Sequence, residues 1–502
     1  MAEVLLTIDG RQVSVPEGTL VIEAARGLGI EIPHYCYHPG LSNPGVCRLC
    51  MVQVEGLPKP QVACRLTARA GMVVKTDSAL ARRAQASSLE LQLANHPLDC
   101  PVCDQAGECM LQDYYEQYGL YASMVREDKE HKPKRVDIGA HVMLDVERCI
   151  QCTRCTRFVD EVTKTNELGI FQRGDRGEIG LAPGLRLDNP YSGNVVDLCP
   201  VGALTDKDFR FLVRVWYLEK MPSVCPGCAR CCSIEVHTNT RRSWHAGGRR
   251  VARLKPRPDP RVNGYWICDE GRYGFASVDA PTRLRAPSAL RDGGLRRLPW
   301  DDALRGAAFE LANLCRERGS EGLAVFLSGT LSNEALAAAK ALFVDRLHAG
   351  HVLVSPGPEQ LGEEDALLRR REKVPNLRGA GDLGFGAAIR ESSPETVLEG
   401  LRSGKIWGVY AAGRDPVAAL GPGSEEALAK LAFTAQQAAN ADGFTKVARW
   451  VLPACAWTED GGTYTNCEGT PQPYAPALPP LGESRPGCAI LEALLASAGG
   501  PR

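Results

Sequence analysis

Polar and apolar residues alternate through VLLTIDGRQVSVPEG, the pattern of a half-buried strand, and the alternation is interrupted at Asp9-Gly10. An Asp-Gly pair between two such runs predicts a β-hairpin. TLVIEAARGLGI then reads as a helix, opened by Thr19 and closed near Gly27 or Gly29. A second helical stretch, ARRAQASSLELQLANHP, ends before Pro97 and so puts His96 near a helix C-terminus. Much further along, GLAVFLSG (322–329) is apolar throughout and predicts a buried strand. SNEALAAAKALF follows as a helix capped at Ser332 or Asn333. KIWGVYAAGRDP and its sequel repeat the strand-then-helix order, so this last part reads as an α/β layer with a parallel sheet. In DDALRGAAFELANLC, helical spacing puts Cys315 on the core stripe with Leu304, Ala308 and Leu311. The Arg- and Gly-rich HTNTRRSWHAGGRRVARLKPRPDPRVN predicts a solvated loop or hairpin.

Composition narrows the function classes. A chain of 502 residues should hold several domains. Lys and Arg number 59 against 60 Asp and Glu, which leaves no bulk attraction for nucleic acid. The start, MAEVLLTIDGRQV, lacks a basic segment followed by an apolar one, so no secretory leader is expected. No window approaches the ~18 consecutive apolar residues of a membrane span. The expectation is a cytoplasmic protein that reaches a membrane only through partners.

Cysteine changes the picture most. There are 20, and clustered cysteines in a reducing compartment argue for metal rather than disulfides. Sixteen lie between Cys36 and Cys268, so composition divides the chain near residue 275, at APTRLRAPSALR. Four ligand sets are legible. Cys36, Cys47, Cys50 and Cys64 follow the strand, turn, strand, helix order of a β-grasp ferredoxin. Their loop holds Gly40, Pro44 and Gly45, which let backbone wrap closely around a [2Fe–2S] cluster. In HPLDCPVCDQAGEC, Cys100, Cys103 and Cys109 lack a nearby fourth cysteine, and His96 is the candidate fourth ligand. Spacing alone leaves zinc and iron open there. Cys149, Cys152 and Cys155 on one tight loop, with a remote Cys199 in CPVGA, have the ferredoxin arrangement for [4Fe–4S]. Finally, CPGCARCC offers Cys225, Cys228 and either Cys231 or Cys232, completed by Cys268; C-x2-C-x3-C favours Cys232, with a zinc ribbon as the rival.

The strings PHYCYHPGLSNPGVCRLCMVQVEG, HPLDCPVCDQAGECMLQD, ERCIQCTRCTRFVDE, SGNVVDLCPVGALTDK and CDEGRYGF, in that order, resemble the family of large iron–sulfur subunits, the G subunits, of bacterial NADH–quinone oxidoreductase, respiratory complex I. The resemblance is strong over residues 1–275 and fainter beyond. It implies that His96 ligates a [4Fe–4S] cluster, giving one [2Fe–2S] and three [4Fe–4S] clusters in all. It also implies an electron path from NADH through a flavin on a neighbouring subunit to the Cys36 set, then the Cys149 set, then the His96 set, and out to quinone-side iron–sulfur subunits. The Cys225 set lies off that line. Implied too are a β-grasp [2Fe–2S] domain over 1–80, a His/Cys3 domain over 81–120, a ferredoxin-like domain over 121–217, and a [4Fe–4S] domain of the molybdopterin-oxidoreductase type over 218–275. The overall class is multidomain α+β and α/β.

Residues 276–502 are similar to a shortened molybdopterin-oxidoreductase domain, and ARWVLPACAWTEDGGTYTNCEG resembles that family's signature near the pterin site. Glu270 occupies the position that is Lys in the molybdenum enzymes, no convincing metal-binding Cys or Ser follows, and Cys455 and Cys467 read as buried thiols. No molybdopterin is expected. Rival readings are the catalytic subunit of an NAD-linked formate dehydrogenase, which would hold molybdenum or tungsten; a hydrogenase relay subunit; and a colourless zinc-stabilised scaffold. The expected seat is the cytoplasmic face of the inner membrane.

Overall fold

The structure is a computed structural model that describes residues 2–172, 174, 176–386 and 392–498. The chain forms two compact units, one ending at Tyr217 and the other beginning at Leu218. Among the described residues no helix is long and apolar enough to cross a membrane.

The first unit opens with the hairpin its alternation predicts. Strands β1 (Glu3–Ile8) and β2 (Arg11–Pro16) pair antiparallel, and Asp9 and Gly10 both turn with positive φ, 47° and 78°. That is the combination a two-residue primed turn requires. Helix α1 (Val21–Gly27) is capped by Leu20, not Thr19. The Thr19 hydroxyl donates instead to Pro16 O, and the Leu20 N–H is met by Glu23. Strands β3 (Met51–Val54), β4 (Gln61–Val62) and β5 (Val73–Lys75) complete a five-stranded sheet in the order β2-β1-β5-β3-β4, with β1 and β5 parallel. Its apolar face joins Leu6, Ile8, Val52 and Val74 to Val21 and Ile22 of α1, and Cys50 and Cys64 belong to the same core.

Helix α2 (Ala79–Leu93) starts at a Ser78 cap, and the Lys129 ammonium donates to its last carbonyls, Leu93 O and Ala94 O. A cation there meets the negative end of the helix dipole. Helix α3 (Met110–Tyr118) follows. Strands β6 (Val136–Asp137) and β7 (Val142–Leu144) join the later β10 (Leu204–Asp206) in a small antiparallel sheet, while β8 (Leu168–Phe171) and β9 (Glu178–Leu181) form a hairpin. Of the third cysteine set, Cys155 lies on the short helix α4 (Arg154–Arg157) and Cys199 caps the C-terminus of α5 (Asn194–Leu198).

The second unit begins with the antiparallel sheet β11 (Glu219–Val224), β12 (Ser233–Thr238) and β13 (Val251–Pro256). Within the Arg-rich segment read as a solvated loop or hairpin, the hairpin forms. Val251, Ala252 and Leu254 are buried in it, where the strand pairs with β12. The short helix α6 (Asp269–Tyr273) precedes a seven-stranded sheet. Its strands are β14 (Ser288–Arg291), β15 (Gly294–Arg297), β16 (Leu323–Leu327), β17 (His351–Leu353), β18 (Gly408–Ala412), β19 (Phe433–Ala438) and β20 (Trp450–Pro453), in the order β15-β14-β20-β19-β18-β16-β17. Neighbours from β17 to β20 are parallel, and β14 and β15 close one edge antiparallel. Every residue of β16 and β18 is buried, as expected of strands covered on both faces. Helices α7 (Trp300–Arg318) and α8 (Asn333–Ala339) match their predicted stripes, and Ser332 supplies the α8 cap by accepting from Ala335 N. A hairpin of β21 (Gly462–Thr465) and β22 (Pro471–Tyr474) follows.

Composition places the division near residue 275, whereas compactness places it at 217. Packing accounts for the difference: Cys231 lies in one small core with Val224, Tyr464 and Tyr474, and Ala229 N–H donates to Glu372 O. The Cys225 loop is therefore built into the C-terminal unit.

Candidate metal centres

In the first set the thiols of Cys36, Cys47, Cys50 and Cys64 are all buried and form a hydrogen-bonded chain, Cys36 engaging Cys47 and Cys64, and Cys64 engaging Cys50. These bonds hold the Cys36 thiol well below the ordinary thiol range and push Cys64 above it. Tyr35 N–H points at Cys47 Sγ at 3.4 Å. Gly45 and Arg48 adopt positive φ, 66° and 54°, on either side of Cys47.

The second set is more open. Cys103 and Cys109 are buried but Cys100 is exposed, in the turn Cys100–Val102. Cys109 precedes α3 and accepts from Leu111 and Gln112 N–H, Cys103 accepts from Gln105 N–H, and the three thiols act on one another electrostatically. Gly202 lies so close that an added Cβ would stand 2.2 Å from Cys103 Sγ. Just past α2, His96 has a buried Nδ1 with no hydrogen-bond partner. Burial, helped by the Lys129 and Arg148 charges, lowers its pKa to about 4. The ring is therefore neutral at physiological pH, the form that ligates metal. His96 lines a cavity of about 330 Å3 together with Cys47, Glu147, Cys149 and Gln151.

In the third set Cys149, Cys152, Cys155 and Cys199 all line one small cavity of about 20 Å3, walled by Leu144, Ile150, Ile179, Val201 and Leu204. Gln151 and Thr153, the residues between successive cysteines, have positive φ of 52° and 65°. Such left-handed positions turn backbone N–H groups inward to make an anion-binding hollow. Gln151 N–H reaches Cys149 Sγ at 3.4 Å, and Arg154, Thr156 and Val201 N–H groups serve Cys152, Cys155 and Cys199. Burial pushes the Cys149 thiol up to about 12 and Cys152 to about 11. Thiolates in this space need a cation to replace their protons.

The fourth set spans the β11–β12 turn and the start of α6. Cys225 N–H donates to Cys232 O at 2.9 Å, and Cys268 Sγ accepts from Gly271 N–H at 3.3 Å. Gly271 and Gly227 press on Cys225 Sγ, where an added Cβ would stand 2.9 and 3.4 Å away. Cys231 and Cys232 part company here. Both are close enough to interact with Cys225 and Cys228, and Cys232 also with Cys268. Cys231 has φ of 54°, and its thiol donates to Pro375 O at 3.2 Å beside Tyr464 and Tyr474.

No set closes on a single point: among the described residues no three His, Cys, Asp or Glu side chains are drawn together tightly enough to hold one metal ion. Of the remaining cysteines, Cys315 packs against the core as its stripe predicts, and Cys455 is buried. Cys467 is exposed, contrary to the reading of a buried thiol, because it sits in the turn between β21 and β22.

A cavity of about 440 Å3 opens at the carboxyl ends of the parallel strands, lined by Thr330, Ser332, Gln437, Asp442, Cys455 and Asp460 among others. Among the described residues lining it there is no Lys, Arg or His. Burial pushes both carboxyls up. This lining does not fit a phosphorylated pterin, whose anionic groups want cations and free N–H donors. Glu270 is taken up by Lys373 at 2.7 Å.

Residues the motifs did not single out tie the sites together. Arg157 donates to Cys36 O and Ser42 O, and Arg154 to Tyr37 O and Leu198 O. Arg148, 5% exposed, sits among Asp99, Asp145 and Cys103. Their sequence signal is weak, since an arginine beside a cysteine reads as surface charge.

Family models match five segments: a 2Fe-2S iron–sulfur cluster binding domain (1–79), the NADH-ubiquinone oxidoreductase-G iron–sulfur binding region (85–123), the ferredoxin-like domain of NADH-quinone oxidoreductase subunit 3 (139–205), the molybdopterin oxidoreductase Fe4S4 domain (218–280) and molybdopterin oxidoreductase (365–497). The G subunit of NADH-quinone oxidoreductase from Streptomyces coelicolor is 43% identical over 66% of this chain and 38% of its own. The mitochondrial NADH-ubiquinone oxidoreductase 78 kDa subunit of Neurospora crassa is 40% identical over 68% of this chain and 44% of its own. The chain thus spans less than half the length of these relatives. A chain of an NAD+-reducing [NiFe]-hydrogenase in the H2-reduced state is 30% identical and covers 43% of this chain and 92% of that one, with a TM-score of 0.38. On the curated relatives and the oxidoreductase-G match, about two thirds of the chain is similar to the G subunits of NADH-quinone oxidoreductase.

Proposed function

We propose that the chain is an electron-relay subunit of an NADH:quinone oxidoreductase, seated between a flavin-bearing NADH subunit and quinone-side iron–sulfur subunits. The small cavity lined by Cys149, Cys152, Cys155 and Cys199 carries this reading: four cysteines, Cys152 and Cys155 buried and Cys149 and Cys199 half-buried, line one hollow, and backbone N–H groups point at their sulfurs. When bound, iron–sulfur clusters supply one-electron carriers whose potentials follow ligand type, hydrogen bonds to sulfur and exposure. Cys36, Cys47, Cys50 and Cys64 hold a [2Fe–2S] cluster. His96 with Cys100, Cys103 and Cys109, Cys149 with Cys152, Cys155 and Cys199, and Cys225 with Cys228, Cys232 and Cys268 hold [4Fe–4S] clusters. The orphaned His96 Nδ1 supports an imidazole ligand in the second set, and the Cys231 thiol's bond to Pro375 O supports Cys232 in the fourth. The acidic cavity holds no molybdopterin, and the C-terminal α/β layer serves as scaffold. Association with the cytoplasmic membrane face runs through partner subunits.

The test is elemental analysis of anaerobically purified protein. Four filled sets give about 14 irons per chain, with negligible zinc and molybdenum. A fully loaded preparation that settles near ten irons removes one cubane, and stoichiometric zinc overturns the assignment of the set that holds it.

A further inference from the structure

Arg154 is 6% exposed, and the hydrogen bonds the structure gives it run to neutral acceptors. One terminal nitrogen donates to Tyr37 O at 2.6 Å, on the first cysteine loop. The other donates to Leu198 O at 3.2 Å, beside Cys199, and lies 3.8 Å from Met110 Sδ. Its Nε is buried with no partner. The side chain also lines the hollow shared by Cys149, Cys152, Cys155 and Cys199. A buried guanidinium without a carboxylate is costly, and carbonyl acceptors offset only part of the loss of water. The groups that act on it favourably are Cys152, Cys199, Tyr114 and Cys47, so its negative counterparts are chiefly thiols of two different sets.

We infer that Arg154 is a positioning and potential-setting residue whose counterions are the first and third metal centres themselves. It bridges the loop carrying Cys36 and Cys47 to the loop carrying Cys149 and Cys152, and it favours electron uptake at both. The inference rests on the four-set reading above. Each reduction adds one electron and one negative charge without making or breaking a bond, and a fixed buried cation nearby stabilises the more negative state. The Cys149 set feels it most, because Arg154 lies within that loop and lines its hollow. Arg157 is the contrasting neighbour. It too feels thiols of both sets, Cys36 and Cys152, but it has the Glu161 carboxylate as a counterion and belongs to a more exposed network with Ser42.

The experiment is a potentiometric titration followed by low-temperature EPR on the anaerobically purified full chain, for wild type, Arg154→Met and Arg154→Lys. The methionine variant is expected to retain both signals and to lose about tenfold in the reduction equilibrium of the Cys149 centre, which is about 59 mV for a one-electron couple. A smaller loss in the same direction is expected at the Cys36 centre. Lysine keeps the charge, so its potentials should stay within about twofold of wild type in the same equilibrium. Both signals at wild-type potentials in Arg154→Met would overturn the inference. If the methionine variant loses its clusters, Arg154→Lys decides: a tenfold loss there shows that charge is not what matters. Wild type without the two signals would instead overturn the four-set reading.

Discussion

In the unit ending at Tyr217, the core around Tyr35, Leu49, Leu89 and Leu111 also contains Cys36, Cys47, Cys109 and Cys152. The main core of the other unit is built from Ala, Leu, Val, Phe and Trp across a seven-stranded sheet, with Cys315 and Cys488 only at its margin. The first unit has sheets of five, three and two strands and correspondingly little continuous apolar interior. Small cores of this kind lean on staples, here metal. The parallel sheet buries both faces with aliphatic side chains and needs none. The contrast separates a part of the chain whose fold and chemistry are one thing from a part whose fold stands by itself.

The sharpest way to break that contrast is to remove one ligand from each unit. Cys152→Ala should abolish NADH-to-quinone electron flow in an assembled complex while sparing NADH oxidation by an artificial acceptor. Cys228→Ala should lower the yield of assembled complex more than its turnover. Intact Cys228→Ala complex with quinone reduction equally lost would put the fourth set on the path.

Iron removal probes the same difference in stability. After anaerobic chelation, limited proteolysis should cut throughout residues 1–217 and leave the sheet-bearing stretch after residue 288 resistant, because structural metal binding supplies folding free energy directly. Equal resistance of both regions would show that the first unit's apolar core suffices.

A smaller effect belongs to the second unit alone. Arg283 and Arg250 both pair with Glu459 at 2.6 Å, and the Glu459 and Arg283 side chains are fully buried. Burial opposes the Glu459 carboxylate, yet Arg283, the Ala456 N–H and Arg250 outweigh it and hold its pKa below the usual range. Glu459→Gln leaves buried charge uncompensated and should cost roughly 3–5 kcal/mol in denaturant unfolding. A carboxylate depressed in the folded state contributes stability above its unfolded pKa of about 4.3 and loses it as pH falls through the folded value. The gap between wild type and variant should therefore close below about pH 4. A gap unchanged down to pH 3 would assign the loss to packing rather than charge.

The least perturbing test is alkylation. Cys467 is exposed and Cys455 buried, so iodoacetamide under native conditions should label Cys467 at least about tenfold faster, read by peptide mass spectrometry. Comparable rates would mean that the β21–β22 turn opens in solution.

Short-range patterns were legible in the sequence because their physics is short-range. The Asp9-Gly10 hairpin, the Ser332 cap and the C-x2-C-x2-C loop at Cys149 each depend on residues a few positions apart. The apolar runs of β16 and β18 likewise announce strands buried on both faces. Only the tertiary structure decided what depends on distant partners. Thr19 lost the cap of α1 because Pro16 O took its hydroxyl. The Cys231 thiol found an acceptor in Pro375 O, 144 positions away, besides Cys228 O in its own loop. The 218–275 segment joined the C-terminal unit, where Tyr464 and Tyr474 pack in one small core with Cys231. Arg154, an unremarked residue inside CIQCTRC, became a buried cation only when folding brought Tyr37 and Leu198 to its two ends. Spacing names the ligands a loop can offer; which thiols face one hollow, and which charges are shut in with them, is settled by packing between segments that the sequence keeps far apart.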